Sequence, residues 1–152
     1  MKVALGCDHA GYSLKGALLD YLAREGHEVL DEGTHSGESV DYPDFAESVA
    51  LRVASGEAER GIVICATGIG MAMTANKVPG IRAAVCNDLY TARYSRLHND
   101  ANVLTFGSRV IGPGVAVEIT RVWLETPFEG GRHARRLNKL TEVEGRSIER
   151  KR

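Results

Sequence analysis

The sequence lacks the features that mark membrane and exported proteins. None of its apolar runs approaches the roughly 20 residues that a membrane-spanning helix needs. The N-terminus passes almost directly into a strand-like segment, without the basic start, long apolar middle and small-residue cleavage site of a signal peptide. With 152 residues, 43% of them apolar and 26% charged, the chain has the composition of one ordinary globular domain, and we predict that it is cytoplasmic.

Cysteine is also scarce, and several nucleotide-binding motifs are missing. The three cysteines, Cys7, Cys65 and Cys86, are far apart and form no C-x-x-C pair, which argues against a disulfide framework or a zinc site. Free thiols fit a reducing compartment. The chain has no Gly-Lys-Ser/Thr ending of a P-loop and no G-x-G-x-x-G at a strand–helix junction, so a dinucleotide cofactor is not indicated.

Neither sign of charge dominates, since the formal net charge is −1, but the distribution is uneven. Residues 130–152 have a net charge of +5, and the remainder has −6. A basic C-terminal arm can bind nucleic acid, an anionic ligand or another subunit. The arm lacks the interleaved aromatic side chains of single-strand nucleic-acid binders, which makes nucleic acid the least favoured of the three.

Short apolar segments alternate five times with stretches of helical periodicity. We expect strands at residues 2–7, 27–31, 61–64, 82–86 and 101–106, which predicts a single α/β domain in three layers around a parallel sheet. Residues 128–152 lie outside this alternation. They predict a C-terminal arm with a helix at 135–143 that packs on a partner subunit, followed by a charged, frayed tail.

The stretch Gly61–Asn76 is chemically the most informative. Its pattern predicts a buried strand, a tight loop that begins at Cys65, and a helix. Gly68 and Gly70 allow close backbone approach, and the helix offers unpaired amides that can stabilise an oxygen anion or a nearby thiolate. The Thr67 hydroxyl could transfer a proton. A glycine-rich turn that serves only packing explains the loop equally well at this point.

Counting along this loop excludes one class of enzyme. A cysteine-dependent phosphatase needs an arginine six residues after its nucleophile, and Met71 occupies that position. Cys7 and Cys86 also end predicted strands, but we interpret them as small buried hydrophobic residues.

Polar residues also follow the first predicted strand and precede the fifth. Asp8 and His9 come directly after strand one, where such a pair can bind a sugar hydroxyl or phosphate or relay a proton, although a solvated turn is the simpler explanation. His98-Asn99-Asp100 forms a second polar turn at the opposite end of a strand. One chain cannot easily merge the two groups, but a second chain could.

Three arginines are candidate phosphate ligands. Arg109 follows the fifth predicted strand and faces the same crevice as the loop at Cys65. Arg132 and Arg136 are four residues apart and share one helical face, which could grip a phosphate or simply face solvent.

Eight short motifs occur in an order that resembles type B ribose-5-phosphate isomerases, of the family that includes allose- and galactose-6-phosphate isomerases. Each motif is weak alone, but eight in register, from the N-terminus to about Val143, are specific. The motifs are Cys7-Asp-His-Ala-Gly11, Asp41-Tyr-Pro-Asp44, Ile64-Cys-Ala-Thr-Gly-Ile-Gly70, Ala75-Asn-Lys77, Gly80-Ile-Arg-Ala83, His98-Asn-Asp-Ala-Asn102, Gly107-Ser-Arg109 and Glu129-Gly-Gly-Arg-His133.

The resemblance implies a fold and an assembly. The fold is a three-layer α/β/α sandwich whose five parallel strands have the order 2-1-3-5-4, which brings the ends of strands one and three together. The assembly is a homodimer, or a tetramer of paired dimers, whose active sites combine residues of two subunits. Neither nucleic acid nor a membrane is an expected partner.

The resemblance also implies a role for each candidate residue. Cys65 is the base that moves a proton between C2 and C1 of the open-chain sugar, assisted by Thr67, and His98 opens the furanose ring with Asp8 nearby. The remaining contacts are to the enediolate oxygen from the amides of Gly68, Ile69, Gly70 and Met71, to the phosphate from His9, Arg109, Arg132 and Arg136, and to sugar hydroxyls from Tyr42 and Asn99.

The chain departs from its apparent relatives at two positions. Some relatives have a glutamate base where this chain has Met71, which cannot abstract a proton, so the chain falls in the group with a cysteine base. Ala66 replaces a frequent glycine, and its methyl group could narrow the loop. The reaction needs no cofactor and no metal, and the sequence has no evident metal-ligand cluster.

We therefore predict an aldose–ketose isomerase that interconverts ribose 5-phosphate and ribulose 5-phosphate. Three alternatives stay open from the sequence. They are isomerisation of a six-carbon phosphosugar such as allose 6-phosphate, a phosphosugar- or nucleotide-binding module in which Cys65 is inert, and nucleic-acid binding through the basic arm.

Overall fold

Five strands form one parallel sheet, and the helices that connect them cover both of its faces. The computed structural model describes residues 1–150. Its strands are β1 (Lys2–Cys7), β2 (Glu28–Asp31), β3 (Arg60–Cys65), β4 (Ala83–Val85) and β5 (Val103–Gly107). Its helices are α1 (Tyr12–Arg24), α2 (Tyr42–Ala54), α3 (Ile69–Ala75), α4 (Leu89–Leu97), α5 (Pro113–Glu125) and α6 (Arg132–Glu149).

The strand order is β2-β1-β3-β5-β4, and all four strand pairs are parallel. This architecture confirms the predicted fold class and the strand order that the resemblance implied. The chain places β2 on one side of β1 and β3 on the other, so the direction of winding switches between β1 and β3. In open α/β sheets, the crevice beyond the carboxyl ends of the strands at such a switch is where ligands bind.

The pleat of the strands divides the hydrophobic core into two clusters. In β3, Ile62 and Ile64 pack with residues of α1, α4 and α5, whereas Val63 between them packs with residues of α2 and α3. Successive side chains of a strand point to opposite faces, so a continuous apolar run fills both clusters at once. Among residues 1–150, no helix has both the length and the apolar character that crossing a membrane would require.

The C-terminal arm differs from its prediction. A helix was expected over residues 135–143 with a frayed tail after it, but α6 begins at Arg132 and continues to Glu149. The tail residues are mostly good helix formers, and Arg146 lies 3.9 Å from Glu142 one turn earlier. Charge alone therefore did not end the helix. The last two residues of the predicted tail, 151 and 152, lie outside the described part of the chain.

Asp88 caps α4, and its loss should destabilise the fold measurably. Its carboxylate accepts hydrogen bonds from the Thr91 amide at 2.7 Å and from the Thr91 hydroxyl at 2.8 Å, and these bonds hold the pKa of Asp88 below its ordinary value. We expect Asp88→Ala to lower the free energy of unfolding by about 1 kcal/mol at pH 7. Because the pKa is lowered on folding, this stabilisation is present above about pH 4 and is lost as the pH falls through the folded-state pKa.

Urea denaturation of both proteins between pH 3 and pH 8 measures this difference. Asp41→Ala is the matched control, because Asp41 precedes α2 in the same way but makes no capping hydrogen bond with its side chain. An equal loss of stability in the two variants would contradict the assignment of the cap.

Candidate active site

Cys65 ends β3 at the carboxyl edge of the sheet, beside the switch between β1 and β3. It pairs with Gly107 of β5, while Ile64 before it pairs with Cys7 of β1. The side chain is 6% exposed, and its Sγ accepts a hydrogen bond from the Gly68 amide at 3.1 Å. The amide fixes the position of the sulfur at the carboxyl edge of the sheet.

The loop after Cys65 is packed directly against the backbone of β5. Gly68 has a positive φ of 84°, and an added Cβ would lie 2.8 Å from the N and Cα atoms of Phe106. The buried Thr105 hydroxyl donates to the Gly68 carbonyl at 2.9 Å. Only glycine fits this position, because any other residue would be strained in its backbone and would also clash with the next strand.

Two of the four amides expected to bind an oxygen anion already have partners. The Gly68 amide donates to Cys65, and the Ile69 amide donates to the Thr67 hydroxyl at 3.2 Å. Within residues 1–150, the Gly70 and Met71 amides donate no hydrogen bond. Met71 is fully buried, so its side chain cannot contact a ligand.

Tyr42 lies over the same loop. An added Cβ at Gly70 would lie 2.8 Å from two ring carbons of Tyr42, whose side chain is still 42% exposed. The phenol ring therefore lies beside Gly70 at the start of α3.

Asp8 and His9 follow β1 on the other side of the switch. Asp8 is 5% exposed and accepts a hydrogen bond from the Gly11 amide at 2.9 Å. His9 Nδ1 accepts from the Val40 amide at 3.2 Å, so a neutral His9 has its proton on Nε2. That nitrogen can donate to an anionic ligand.

The loop after β5 ties the three strand ends together. The Ser108 amide donates to the Cys65 carbonyl at 2.9 Å, and its hydroxyl donates to the Ala10 carbonyl at 2.6 Å. The Arg109 amide donates to the Ala66 carbonyl, and the Arg109 side chain is exposed at the same edge. We call the residues gathered at this edge the thiol cluster; its members are Asp8, His9, Tyr42, Cys65, Thr67, Gly68, Ile69, Gly70, Met71 and Arg109.

Supporting residues of the thiol cluster were missed from the sequence. Asn87 follows β4, accepts from the Gly107 amide at 2.9 Å and donates to the Thr67 carbonyl at 3.4 Å, and so links two strand ends. An asparagine directly after a predicted strand is the only signal that could have indicated it. Thr105 and Ser108 act in a similar way and give no distinctive signal.

A second group of predicted residues lies at the opposite edge of the sheet. His98 ends α4, which runs back from the carboxyl edge, and the turn after it leads into β5. The carbonyls of Asn99 and Asp100 accept from the Arg82 guanidinium, just before β4 begins. Since β3 has six residues, the two edges are separated by roughly 16 Å.

His98 belongs to an arrangement that extends into α6. Its ring stacks on that of His133 with 4.1 Å between centroids and 9° between planes, and the Glu129 carboxylate lies 3.7 Å from Nε2 of each histidine. Arg132 and Arg136 are exposed on the first turns of α6, next to this pair. We call His98, Asn99, Glu129, Arg132, His133 and Arg136 the imidazole cluster.

The separation agrees with the expectation that one chain does not merge the two polar groups. Within one chain Asp8 belongs to the thiol cluster and His98 to the imidazole cluster on the other edge, so their expected proximity stays a prediction that needs a second chain. The same separation holds between Cys65 and Arg132 or Arg136. Every residue predicted from the sequence lies in one of the two clusters, but no single chain brings them all together.

The stacking also bears on metal binding. His98, Glu129 and His133 present ligand atoms within 4.8 Å of one another, a cluster that is not predicted from the sequence. A metal–nitrogen bond, about 2.1 Å long, lies in the plane of its imidazole ring. Rings stacked almost face to face direct their lone pairs into separate, nearly parallel planes, so one ion cannot bind both. The arrangement is a stacked histidine pair beside a carboxylate.

The charges around the clusters favour an anion. Burial lowers the pKa of His133, and the neighbouring His98, Arg132 and Arg136 lower it further, against the opposing charge of Glu129. His133 is therefore neutral at pH 7. Within residues 1–150, neither Arg109, Arg132 nor Arg136 lies within ion-pair distance of a carboxylate.

Comparison with known proteins identifies the family. The family described as Ribose/Galactose Isomerase matches residues 3–140. The chain is 51% identical over 145 residues to ribose-5-phosphate isomerase B of Escherichia coli strain K12, an alignment that covers 95% of this chain and 97% of that protein. The chain belongs to the ribose/galactose isomerase family.

Two further relatives support this assignment. The structure of Clostridium thermocellum ribose-5-phosphate isomerase B is 56% identical, has a TM-score of 0.95, and matches over 97% of this chain and 99% of that one. D-erythrulose-4-phosphate isomerase of Pectobacterium atrosepticum is 45% identical over 141 residues, which cover 92% of this chain and 93% of that protein.

The resemblance seen in the sequence is thus confirmed, and the chain is an isomerase. Its similarity to type B ribose-5-phosphate isomerases supports a ribose/ribulose phosphate isomerase function. The non-catalytic binding module that the sequence left open does not fit these relatives.

Selective alkylation should distinguish Cys65 from the other two thiols. Cys7 and Cys86 are fully buried, and burial raises the pKa of each to about 11, so fewer than about one in a thousand is a thiolate at pH 7.5. We expect iodoacetamide at this pH to modify the folded protein once, at Cys65, and the denatured protein three times. Peptide mass spectrometry locates the adduct. Modification of Cys7 or Cys86 in the folded protein at the rate of Cys65 would contradict the description of their environments.

Proposed function

We propose that this isomerase interconverts D-ribose 5-phosphate and D-ribulose 5-phosphate through an enediolate, with Cys65 as the base. The observation that carries the proposal is the Cys65 sulfur at the β1–β3 switch, with an amide donating to it and a loop too tightly packed to move away. The names of the relatives supply the substrate class.

The isomerisation moves two protons, one between carbons and one between oxygens. The Cys65 thiolate takes the proton from C2 of the open-chain aldose, and the electrons of that bond form the C1–C2 double bond while the C1 carbonyl oxygen becomes an oxyanion. Return of the proton from sulfur to C1 gives the ketose. A second proton must pass from O2 to O1, and the exposed Thr67 hydroxyl, two residues from Cys65, is the proposed relay.

The negative charge that forms on the enediolate oxygen requires donors that have no other partner. The Gly70 and Met71 amides meet this requirement, while the Gly68 and Ile69 amides act indirectly by holding Cys65 and Thr67. Fixed donors of this kind often supply the largest single contribution to catalysis, because they need no reorganisation when the charge appears.

The phosphate and hydroxyl contacts come from both clusters. His9 Nε2 and Arg109 of the thiol cluster, together with Arg132 and Arg136 of the imidazole cluster, bind the phosphate in this proposal. Tyr42 and Asn99 contact sugar hydroxyls. His98 takes the proton from the O1 hydroxyl of the furanose while the C1–O4 bond breaks, and it returns this proton to O4, which leaves the open-chain aldehyde and the C4 hydroxyl. The partner's thiol cluster supplies Asp8 beside this step.

These roles require two subunits. In the proposed homodimer, which could pair further into a tetramer, each active site combines the thiol cluster of one chain with the imidazole cluster of the other. Exposed apolar side chains on α3 and α4 support such a contact. Met73 is 64% exposed and Tyr90 is 69% exposed. The Tyr90 ring contacts the Tyr94 ring, which in turn contacts the His98 ring.

An isomerase assay without added metal tests the reaction and the base. We expect conversion of ribose 5-phosphate, and a loss of at least about a thousandfold in kcat for Cys65→Ala, because no other group replaces the base. Allose 6-phosphate and erythrulose 4-phosphate are assayed in parallel, since they represent the six-carbon alternative and the substrate named for one relative. A higher kcat/KM for either of these sugars would replace the proposed substrate, and full activity of Cys65→Ala would remove Cys65 as the base.

Mixing two inactive variants tests whether the site is shared. Cys65→Ala damages one cluster and His98→Ala the other, so a mixed dimer has one site with both defects and one site with none. With random assortment we expect about a quarter of the wild-type activity to return after the chains are co-expressed or refolded together.

The control mixes Cys65→Ala with Asp8→Ala, which lie in the same cluster and leave every site defective. Activity in the first mixture no greater than in this control would contradict the shared site. The comparison does not depend on which inactive variant is the more damaged.

A further inference from the structure

Asp100 has a backbone conformation that side chains normally avoid. Its φ is +43°, and it is the only residue other than glycine with a positive φ in the described part of the chain. Aspartate enters this left-handed region more readily than most residues, but it still costs conformational free energy that the surroundings must offset. The residue sits two positions after His98, where the chain turns from α4 toward β5.

Two arginines form ion pairs with the Asp100 carboxylate, one with each oxygen. Arg96 Nη1 lies 2.7 Å from Oδ1, and Arg82 Nη2 lies 3.0 Å from Oδ2. Arg96 is itself fixed, because its side chain is 3% exposed, donates to the Ala101 carbonyl at 2.7 Å and lies over the Trp123 ring. One end of the turn is thus anchored in the hydrophobic core.

The same arginines also hold the backbone of the turn. Arg82 Nε donates to the carbonyls of both Asn99 and Asp100, at 3.2 and 2.9 Å. The Asp100 amide donates a hydrogen bond to the Arg96 carbonyl at 3.1 Å. The peptide groups directly after His98 are therefore fixed through side chain and main chain together.

We propose that Asp100, through its ion pairs with Arg82 and Arg96, is a positioning residue. It sets the direction of His98 and Asn99 toward the active site of the partner subunit. This proposal rests on the proposed function, in which those two side chains open the ring and contact sugar hydroxyls. His98 also contacts His133 and Tyr94, so loss of the Asp100 ion pairs should shift the imidazole slightly while these ring contacts keep it near its place. Displacement of a catalytic group by about 1 Å can lower a rate by up to a hundredfold.

The chemistry of the two substrates separates ring opening from proton transfer. Ribose 5-phosphate closes to a furanose through its O4 hydroxyl. Ribulose 5-phosphate cannot form a furanose, because the O5 that would attack its C2 carbonyl carries the phosphate. When substrate is saturating, so that weakened binding contacts do not limit the rate, exchange of the C1 hydrogen of ribulose 5-phosphate with deuterium from D2O needs proton transfer at Cys65 but no ring opening. Conversion of ribose 5-phosphate needs both steps.

The experiment compares these two rates in Asp100→Gly and Asp100→Asn. Glycine accepts the left-handed backbone but removes the carboxylate, and asparagine accepts the same backbone and retains one oxygen for an arginine. We expect Asp100→Gly to lower the kcat for ribose 5-phosphate about tenfold, Asp100→Asn to lower it less, and deuterium exchange into ribulose 5-phosphate to stay within about twofold of the unaltered enzyme in both.

Asp31→Asn is the matched control. Asp31 is 30% exposed and pairs at 2.7 Å with Lys15, which is 6% exposed, whereas Asp100 is 32% exposed and pairs at 2.7 Å with the buried Arg96. Loss of the Asp31 pair should lower stability to a similar degree without changing the ratio of conversion to exchange.

Two outcomes overturn the positioning role. One is an unchanged ratio of conversion to exchange in Asp100→Gly, whether both rates are kept or both fall equally, and the other is a change of the same size in Asp31→Asn. If the unaltered enzyme neither converts ribose 5-phosphate nor exchanges the label of ribulose 5-phosphate, the proposed function itself is wrong and the positioning role falls with it. Failure of the positioning role alone leaves the unaltered enzyme active in both assays.

Discussion

The candidate site depends on the close approach of the loop after β3 to the backbone of β5. The approach leaves no room for a side chain on either side. An added Cβ at Gly68 would meet the backbone of Phe106, and one at Gly107 would lie 2.5 Å from the Ala66 carbonyl oxygen and the Thr67 Cα. Hydrogen bonds from Ser108 and Arg109 to the carbonyls of Cys65 and Ala66 then fix the loop in register with β5. Because the loop cannot shift, the Gly68 amide stays directed at the Cys65 sulfur.

This constraint also explains why three cysteines at similar places in the fold differ in character. Cys7 and Cys86 end or follow strands as Cys65 does, but both are fully buried, and burial keeps their pKa values near 11. Cys65 differs in that the residue is 6% exposed, and the loop after it holds the Gly68 amide as a donor to its sulfur. The surroundings of a thiol, more than its position at a strand end, decide whether it can act as a base.

Local patterns predicted the elements of the fold well, because each of them depends on neighbours in sequence. The alternation of strands and helices and the glycine loop at Cys65 are both of this kind. The strand order is different, since periodicity cannot specify which strands pair, and it was expected only from the resemblance to a known family. The length of α6 was misjudged, because its charged residues suggested a frayed tail although most of them favour a helix.

The imidazole cluster illustrates what sequence reasoning could not reach. His98 and His133 are 35 residues apart, and nothing in their spacing indicates that their rings stack. The contact depends on how α6 returns to α4, through a turn in which Gly130 and Gly131 both have positive φ and the Glu129 amide donates to the Leu97 carbonyl. Such a docking is a property of the tertiary structure, and so is the ion pairing of Arg82 and Arg96 with Asp100.

In the proposed chemistry, ring opening belongs to the imidazole cluster and proton transfer at carbon to the thiol cluster. The two steps need different surroundings. Ring opening needs a proton acceptor in an exposed place where the sugar can enter, and His98 is 35% exposed. Proton transfer at carbon needs a dry, rigid environment in which donors are already aligned, and Cys65 lies in such an environment. One small domain would have difficulty in building both beside each other, because the crevice at the carboxyl edge is already occupied by the ends of three strands. The second environment lies on the opposite edge, and in the proposed homodimer the partner subunit brings it to the first, which removes this conflict without enlarging the fold.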